Sequence, residues 1–267
     1  MGVWWQLGRR TFRRYSTYRA ATIGGLVPNV VFGYLRAYVL LAVVAEAGPV
    51  GGFAERDVIT YSFATQALIV PIAIFSAGGS SIDLAERIRT GDVVIDLYRP
   101  VDFQCYWLAQ DLGRAAHGFV TRGLASFTAG FVAFSLVVPT TVPGITAAAV
   151  VLVLAVLVSF GFRYLVALGS FWLVDDRGLT LIGGVLAMFL SGFLVPVTFF
   201  PGWLQGVAAA SPFPAMVQLP VEVFLGHHDA TGVARVVATQ LAWLAVLVAA
   251  GRALGATAIR KVVVQGG

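Results

Sequence analysis

The sequence predicts an all-α, polytopic membrane protein with six transmembrane helices, and three observations carry that prediction. Hydrophobic residues make up 58% of the 267 positions and charged residues 12%, with a mean hydropathy of +0.86, outside the range of soluble domains. The apolar residues gather into runs near the roughly 20 positions a bilayer core requires, so the chain holds about five to seven spans and no large soluble domain. With the N-terminus inside, 13 of the Arg and Lys residues fall in cytoplasmic segments, Arg56 and Arg235 fall outside, and three lie within spans. That is the asymmetry of the positive-inside rule. An N-terminal amphipathic interfacial helix, a polar cytoplasmic loop between helices 2 and 3, and two short re-entrant outer helices between helices 5 and 6 complete a single transmembrane domain over 1–267.

Residues 3–19 place Trp4, Trp5, Leu7, Phe12 and Tyr15 among Arg9, Arg10, Arg13, Arg14 and Arg19. That mixture suits either a helix in the headgroup layer or positive-inside anchors for the first span, and both put the N-terminus in the cytoplasm. No continuous apolar core precedes a small-residue cleavage site, so no removable signal peptide is expected. The first span, 22–45, contains Arg36. A charge near mid-bilayer costs about 3 kcal/mol on insertion scales, so Arg36 snorkels, pairs with another helix or lines a transport path. Residues 46–57, with Gly48, Pro49, Gly51 and Gly52, form a short outer loop. The second span, 58–77, contains Pro71, which predicts a kink.

The polar segment 79–104 then holds eight of the 31 charged residues in 26 positions. Unpaired charged and backbone groups cannot remain in lipid, so this segment protrudes into water. Ser80 or Ser81 can cap a short helix with Ile82, Leu84 and Ile88. Thr90-Gly91-Asp92 marks a turn, Val93 to Leu97 alternates apolar residues, and Arg99-Pro100 ends that element. Nearly balanced charges suit a protein partner of mixed surface rather than phosphate, or a solvated loop.

The third span, 115–138, is entered through a polar helix at 106–114, with His117 and Arg122 near its inner end. A tight outer turn at 139–144 leads into a fourth span, 145–174, about 45 Å long if wholly helical, which must tilt or project. It contains Arg163, either a buried structural cation or a cavity residue. Asp175-Asp176-Arg177-Gly178 is a short inner loop. The fifth span, 179–197, offers Gly183, Gly184, Ser191 and Gly192 for close helix contact. Prolines 196, 201, 212, 214 and 220 break the next apolar segment below spanning length. Ser211-Pro212 reads as a cap with Pro in the first helical turn. This segment forms either two short helices dipping into the outer leaflet or a surface hairpin. The last span, 233–251, ends in a Gly251/Gly255 step and basic Arg252, Arg260 and Lys261.

Several chemistries are absent from the sequence. Lys261 is its single lysine and follows Arg260, so there is no phosphate-binding G-x-x-x-x-G-K-[ST] loop. Neither H-E-x-x-H nor G-x-S-x-G occurs. Cys105 alone allows no intrachain disulfide and no Cys-based zinc site. His227-His228-Asp229 reads as a surface loop rather than a metal site, lacking other spaced ligands. Asp83, Glu86, Asp92 and Asp96 sit in the polar segment rather than a buried pocket, which argues against acid–base catalysis. The net charge of +5 follows the orientation signals, so no nucleic acid is implied.

The run IRTGDVVIDLYRPVDFQCYWLAQDLGR, with FWLVDDRGL and LSGFLVPVTFFPGWLQGVAAASPFPAMVQLPVEVFLG downstream, resembles the ABC-2 type transporter permeases. The resemblance covers residues from about 60 to 226 and is closest to the small six-span export permeases associated with antibiotic or multidrug efflux. It implies half of a translocation pathway, completed by an identical or related second permease chain. It further implies no cofactor on this chain, with ATP and Mg on a partner dimer of ATP-binding subunits. Ile88, Arg89, Thr90, Gly91, Asp92, Leu97, Tyr98, Arg99 and Pro100 then belong to the ATPase-coupling loop, with Asp175-Asp176-Arg177 as a second, minor contact. Arg36 and Arg163 are candidates for the translocation path, and Phe199, Phe200, Pro201, Trp203 and Pro212 for an outer gate. The expected location is the cell membrane of a bacterium with both termini cytoplasmic.

Two other classes compete. A secondary transporter needs an internal repeat and helices broken near the midplane. The two halves show no such similarity, and the broken segment lies at the outer face. A membrane-embedded hydrolase needs a nucleophile and base at one depth, whereas Ser159, Ser170 and Ser191 have only His117 in or near a span. Apolar spans with few interior cations favour a lipid-like or amphipathic drug-like cargo.

Overall fold

The computed structural model describes residues 2–17, 19–74, 80–173 and 177–265. They form helices α1 (Val3–Thr17), α2 (Arg19–Ala47), α3 (Glu55–Ile72), α4 (Ser80–Thr90), α5 (Val93–Leu97), α6 (Phe103–Gly118), α7 (Leu124–Ala133), α8 (Val142–Leu168), α9 (Arg177–Leu190), α10 (Gly202–Ala209), α11 (Gln218–Leu225) and α12 (Ala230–Gln265). Among the described residues there is no strand, only an isolated bridge between Val50 and Phe53. Among the described residues three segments are long and apolar enough to cross a bilayer: Thr22–Ala47, Val142–Phe171 and Ala230–Ala258. The protein is therefore a polytopic helical membrane protein.

Local chemistry sets the helix ends. Asp57 accepts a hydrogen bond from the Ala54 N–H at 3.0 Å, and with Glu55 it places negative charge at the α3 N-terminus. Asp102 caps α6 by accepting from the Cys105 N–H at 2.8 Å, a bond that holds its carboxyl below the usual range. Thr141 caps α8 at Gly144, with Pro143 in the first turn where no donor is lost. At the other end of α3, Pro71 lies in the last turn and Ala73 turns left-handed at φ 51°. The proline thus precedes a helix stop instead of kinking a continuing helix.

α6 and α7 run on through a single π-helical segment, Phe119–Gly123, a distortion frequent at functional sites. Its flanks are glycines in tight contact with α3: a Cβ on Gly118 would meet the Val70 side chain, and one on Gly123 would lie 2.8 Å from the Ala67 carbonyl. The last helix lies along α8, with Gly161 against Leu247 and Gly251 against Tyr164.

Of the four apolar clusters among the described residues, two organise these helices. The larger joins Tyr61, Leu68 and Ile72 of α3, Ala155 and Val158 of α8, Val221 of α11 and Leu247 of α12. The second gathers Leu84 of α4 and Val93 of α5 against Trp107, Phe160, Tyr164 and Leu168, where α6 and α8 end on the same side. The polar segment is therefore a packed elbow with its own core.

α1 crosses α6 at two facing glycines. A Cβ on Gly113 would fall 2.9 Å from the Gly8 carbonyl carbon and 3.1 Å from its Cα, and backbone cannot yield as a flexible side chain can. Overpacking costs about 1–3 kcal/mol. Gly113→Val is accordingly expected to lift α1 off α6 while the remaining helices stay folded. Faster proteolysis within residues 3–17 at an unchanged melting temperature would be the signature, and equal protection of α1 would refute the crossing.

Two helices end short of their sequence-based limits, and one expected cap opens no helix. α7 stops at Ala133, ahead of 138, and an extended segment leads to Thr141. α9 stops at Leu190 rather than at 197, because Gly192 adopts φ 83° and Pro196 follows. Ser211 opens no helix: its hydroxyl donates to the Ala208 carbonyl at 2.7 Å and ends α10, while the next helix begins at Gln218.

Candidate functional site

The elbow is built from α4 and α5 around one carboxylate. Gly91 turns the chain at φ 82°, as the Thr90-Gly91-Asp92 turn expects. Asp96, expected to be solvated, is buried instead. Arg87 Nε meets its Oδ2 at 2.5 Å and Arg99 Nη2 lies 3.2 Å from its Oδ1. Arg87 also donates to the Asp92 carbonyl at 3.1 Å. Arg99 bonds the Tyr106 hydroxyl and stacks 4.6 Å from that ring. Buried charge is tolerated here because it is paired and hydrogen-bonded. Arg14 of α1 reaches Asp83 of α4 at 3.2 Å, which ties the amphipathic helix to the elbow.

Packing divides the predicted coupling residues. Ile88 and Leu97 are half-buried, whereas Arg89, Thr90, Gly91, Asp92, Tyr98, Arg99 and Pro100 are exposed. The five-residue helix α5 turns Val93 inward and Ile95 outward, leaving Ile95 60% and Tyr98 85% exposed among charges. Alternation of apolar residues, as in a strand, would have put Val93, Ile95 and Leu97 on one face. The side chains of Ser80 and Ser81 fall outside the described residues, as do Asp175 and Asp176.

Behind the elbow lies a buried clasp unmarked by any motif. The carboxylate of Asp111 receives Arg114 Nε at 2.9 Å, and Arg163 Nη1 and Nη2 at 3.1 and 2.7 Å. Arg114 extends to the Val70 carbonyl and, at 2.9 Å, to that of Pro71. Ser159 donates to the Ile72 carbonyl at 2.5 Å and accepts from Arg163 Nε at 3.2 Å. The last-turn carbonyls of a helix lack intrahelical partners, and a cation there is favoured by the helix dipole. One carboxylate thereby joins the end of α3 to α6 and to the C-terminal part of α8. Arg163 is buried in this clasp.

Arg36 lies elsewhere. Its guanidinium donates to the carbonyls of Phe193 and, at 2.5 Å, Ser62, and lies 5.0 Å from the Phe193 ring centre. It lines a cavity of about 920 Å³ bordered by α2, α3, α6 and the segment after α9, which Arg163 does not reach.

At the opposite end, Gln218 forms a latch. Its Oε1 accepts from the Tyr61 hydroxyl at 2.6 Å and from the Val197 N–H at 3.1 Å, while its Nε2 donates to Glu222 at 2.6 Å. The single Tyr61 hydroxyl proton is shared with the Gly192 carbonyl, 2.5 Å away, and His228 lies 3.0 Å from Glu222. Of the predicted gate residues, Phe199 packs edge-on to Phe53, Phe200 and Pro212 are half-buried, and Pro201 and Trp203 are exposed. His227 packs on the Phe53 ring and meets Asp57 at 3.6 Å. Among the described residues no group of His, Cys, Asp and Glu is arranged for a metal ion.

Apolar helices around a large cavity, with a packed polar elbow tied to α6, α8 and the amphipathic α1, define a membrane transport component. The chain belongs to the ABC-2 transporter family: residues 31–266 match the family described as ABC-2 family transporter protein. It is thus a permease component of an ABC transporter. Comparison with curated proteins gives no match. The resemblance read from 60 to 226 extends over most of the matched length.

Proposed function

We propose that the chain is one half of an export pathway, driven by a dimer of ATP-binding subunits that carry the ATP and Mg, and completed by a second permease chain, identical or related. In this reading the membrane is that of a bacterial cell, both termini are cytoplasmic, and six spans cross it. α3, the α6–α7 rod and α9 supply the spans additional to the three longest segments. α1 lies in the headgroup layer, and α10 and α11 enter the outer leaflet as a gate. The cargo class is lipid-like or amphipathic, including drug-like molecules.

One observation carries the proposal: the elbow presents Arg89, Asp92, Ile95 and Tyr98 outward while its base packs on α6 and α8. A partner that grips those residues moves a rigid lever. The clasp of Asp111 passes that movement to α3, α6 and α8 together, and the energy comes from the partner's different contacts in its two nucleotide states. Arg36 borders the path, and Arg163 serves the clasp that moves it.

The test is co-purification in mild detergent, followed by transport assays with the D92A/R99A double variant. Asp92 and Arg99 hold the turn and the Asp96 cluster, so uncoupling is expected: export falls at least tenfold while membrane insertion and subunit content persist. ATP-driven export at the unaltered rate would remove the coupling assignment. Transport without nucleotide would favour a secondary transporter.

A further inference from the structure

We infer that the 920 Å³ cavity is a binding site for an acidic amphiphile, a molecule with one anionic group and an apolar body. The inference deepens the permease reading by naming a cargo class, and rests on that reading only for the ligand's being transported. The cavity walls are mostly apolar, with Ile69 and Leu194 on the inner side. Phe32, Leu35 and Val39 of α2 complete them and are exposed as well, so the site opens beside a helix long and apolar enough to cross the bilayer. A ligand can therefore enter from the hydrocarbon layer with its chain already desolvated.

The charges that line it have one sign. Arg36, Arg114 and Arg122 border the cavity with Tyr15 and His117, and among the described residues no Asp or Glu does. Arg114 is answered by Asp111. Arg36 has two carbonyl partners and a ring beneath it, and its Nε is buried with no hydrogen-bond partner.

Nearby polar groups are also incomplete. Asn29 is 7% and Gln66 4% exposed, both line the cavity, and their side-chain oxygens Oδ1 and Oε1 have no donor. Buried polar atoms in proteins are nearly always paired, and a cation in lipid normally has a partner. A phosphate monoester carrying one proton meets both needs: an anionic oxygen accepts from Arg36 and its hydroxyl donates to Asn29 or Gln66. A fully ionised acid satisfies Arg36 alone, with water serving the amides.

The test uses the full permease complex in nanodiscs of zwitterionic phosphatidylcholine, without nucleotide. The fluorescent probe cis-parinaric acid is compared with the alcohol of the same chain. A charge-assisted hydrogen bond predicts that the acid binds about 10–100-fold more tightly. Arg36→Gln is expected to bring that ratio near one, and Arg36→Lys to restore part of it. Because Arg36 also holds two carbonyls, Leu35→Trp provides a second variant that fills the cavity and leaves the cation in place, and it should abolish binding of both probes.

Equal affinity for acid and alcohol in the unaltered protein overturns the inference. So does a preserved ratio in folded R36Q, or unchanged binding in L35W. Binding of neither probe also overturns it, and would leave a second permease copy as the occupant of this face. Adding phosphatidylglycerol at about 0.5 M salt, where surface potential is screened, separates two sources of the same chemistry. Displacement of the acid identifies a lipid headgroup as occupant, and no displacement identifies a free cargo molecule. Because the ratio needs no ATP hydrolysis, it can fail while D92A/R99A still uncouples export, and the reverse.

Discussion

Asp111→Asn is expected to destabilise the protein by about 3–5 kcal/mol, the cost of leaving buried charge unmatched when one partner of an ion pair is removed. Asparagine keeps the shape of aspartate, so packing is not the variable. Arg114 and Arg163, both buried, would face each other with no anion between them. Arg163 would lose both bonds to the carboxylate at once. A fall in melting temperature in detergent, with a lower yield of monodisperse protein, is the readout.

The companion variant D111N/R163M is expected to recover most of the loss. Replacing a buried pair by neutral groups of similar volume is often close to neutral, whereas breaking one is not. Arg114 then stays with the carbonyls of Val70 and Pro71 and keeps its favourable place at the α3 C-terminus. If D111N melts with the unaltered protein, the clasp does not hold the junction together.

The second large effect is expected at the elbow tip. I95A/Y98A should weaken the ATP-binding subunit's hold by about 2 kcal/mol or more, roughly 30-fold in affinity, as for a buried aromatic anchor at the centre of an interface. Neither side chain supports the elbow: its core is made by Leu84 and Val93, and its charges meet at Asp96. The variant should therefore retain the melting temperature of the parent, unlike D111N, and lose subunits on gel filtration. A complex that stays intact would place the docking surface elsewhere.

Much of this architecture could be read from the residues in line. Long apolar runs announce α2, α8 and α12, because an interior of lipid requires apolar residues over a whole helix length. The crowding of charge into 79–104 announced the elbow, and Gly91 its turn. What remained hidden depends on distant pairing. Asp111 and Arg163 are separated by 52 positions, and Arg114 and Val70 by 44. Only the spacing of Asp111 and Arg114 at i and i+3, on one helix face, was available as a local hint. Ile95 escaped notice because a five-residue stretch of alternating apolar residues does not reveal whether it coils or extends. The early end of α9 is likewise tertiary: Gly192 takes its left-handed turn against Tyr61 and Gln218.

A resting membrane must hold its gradients, and in the proposed pathway an outer gate that drifted open would short-circuit them. Two donors cross the Tyr61, Gly192, Val197 and Gln218 junction, the Tyr61 hydroxyl shared between the Gly192 carbonyl and Gln218 Oε1, and the Val197 N–H, each worth about 1 kcal/mol net. Together they hold spontaneous parting to roughly one copy in thirty. In the proposed cycle that is tight enough to limit leakage and loose enough for a nucleotide-driven stroke to overcome.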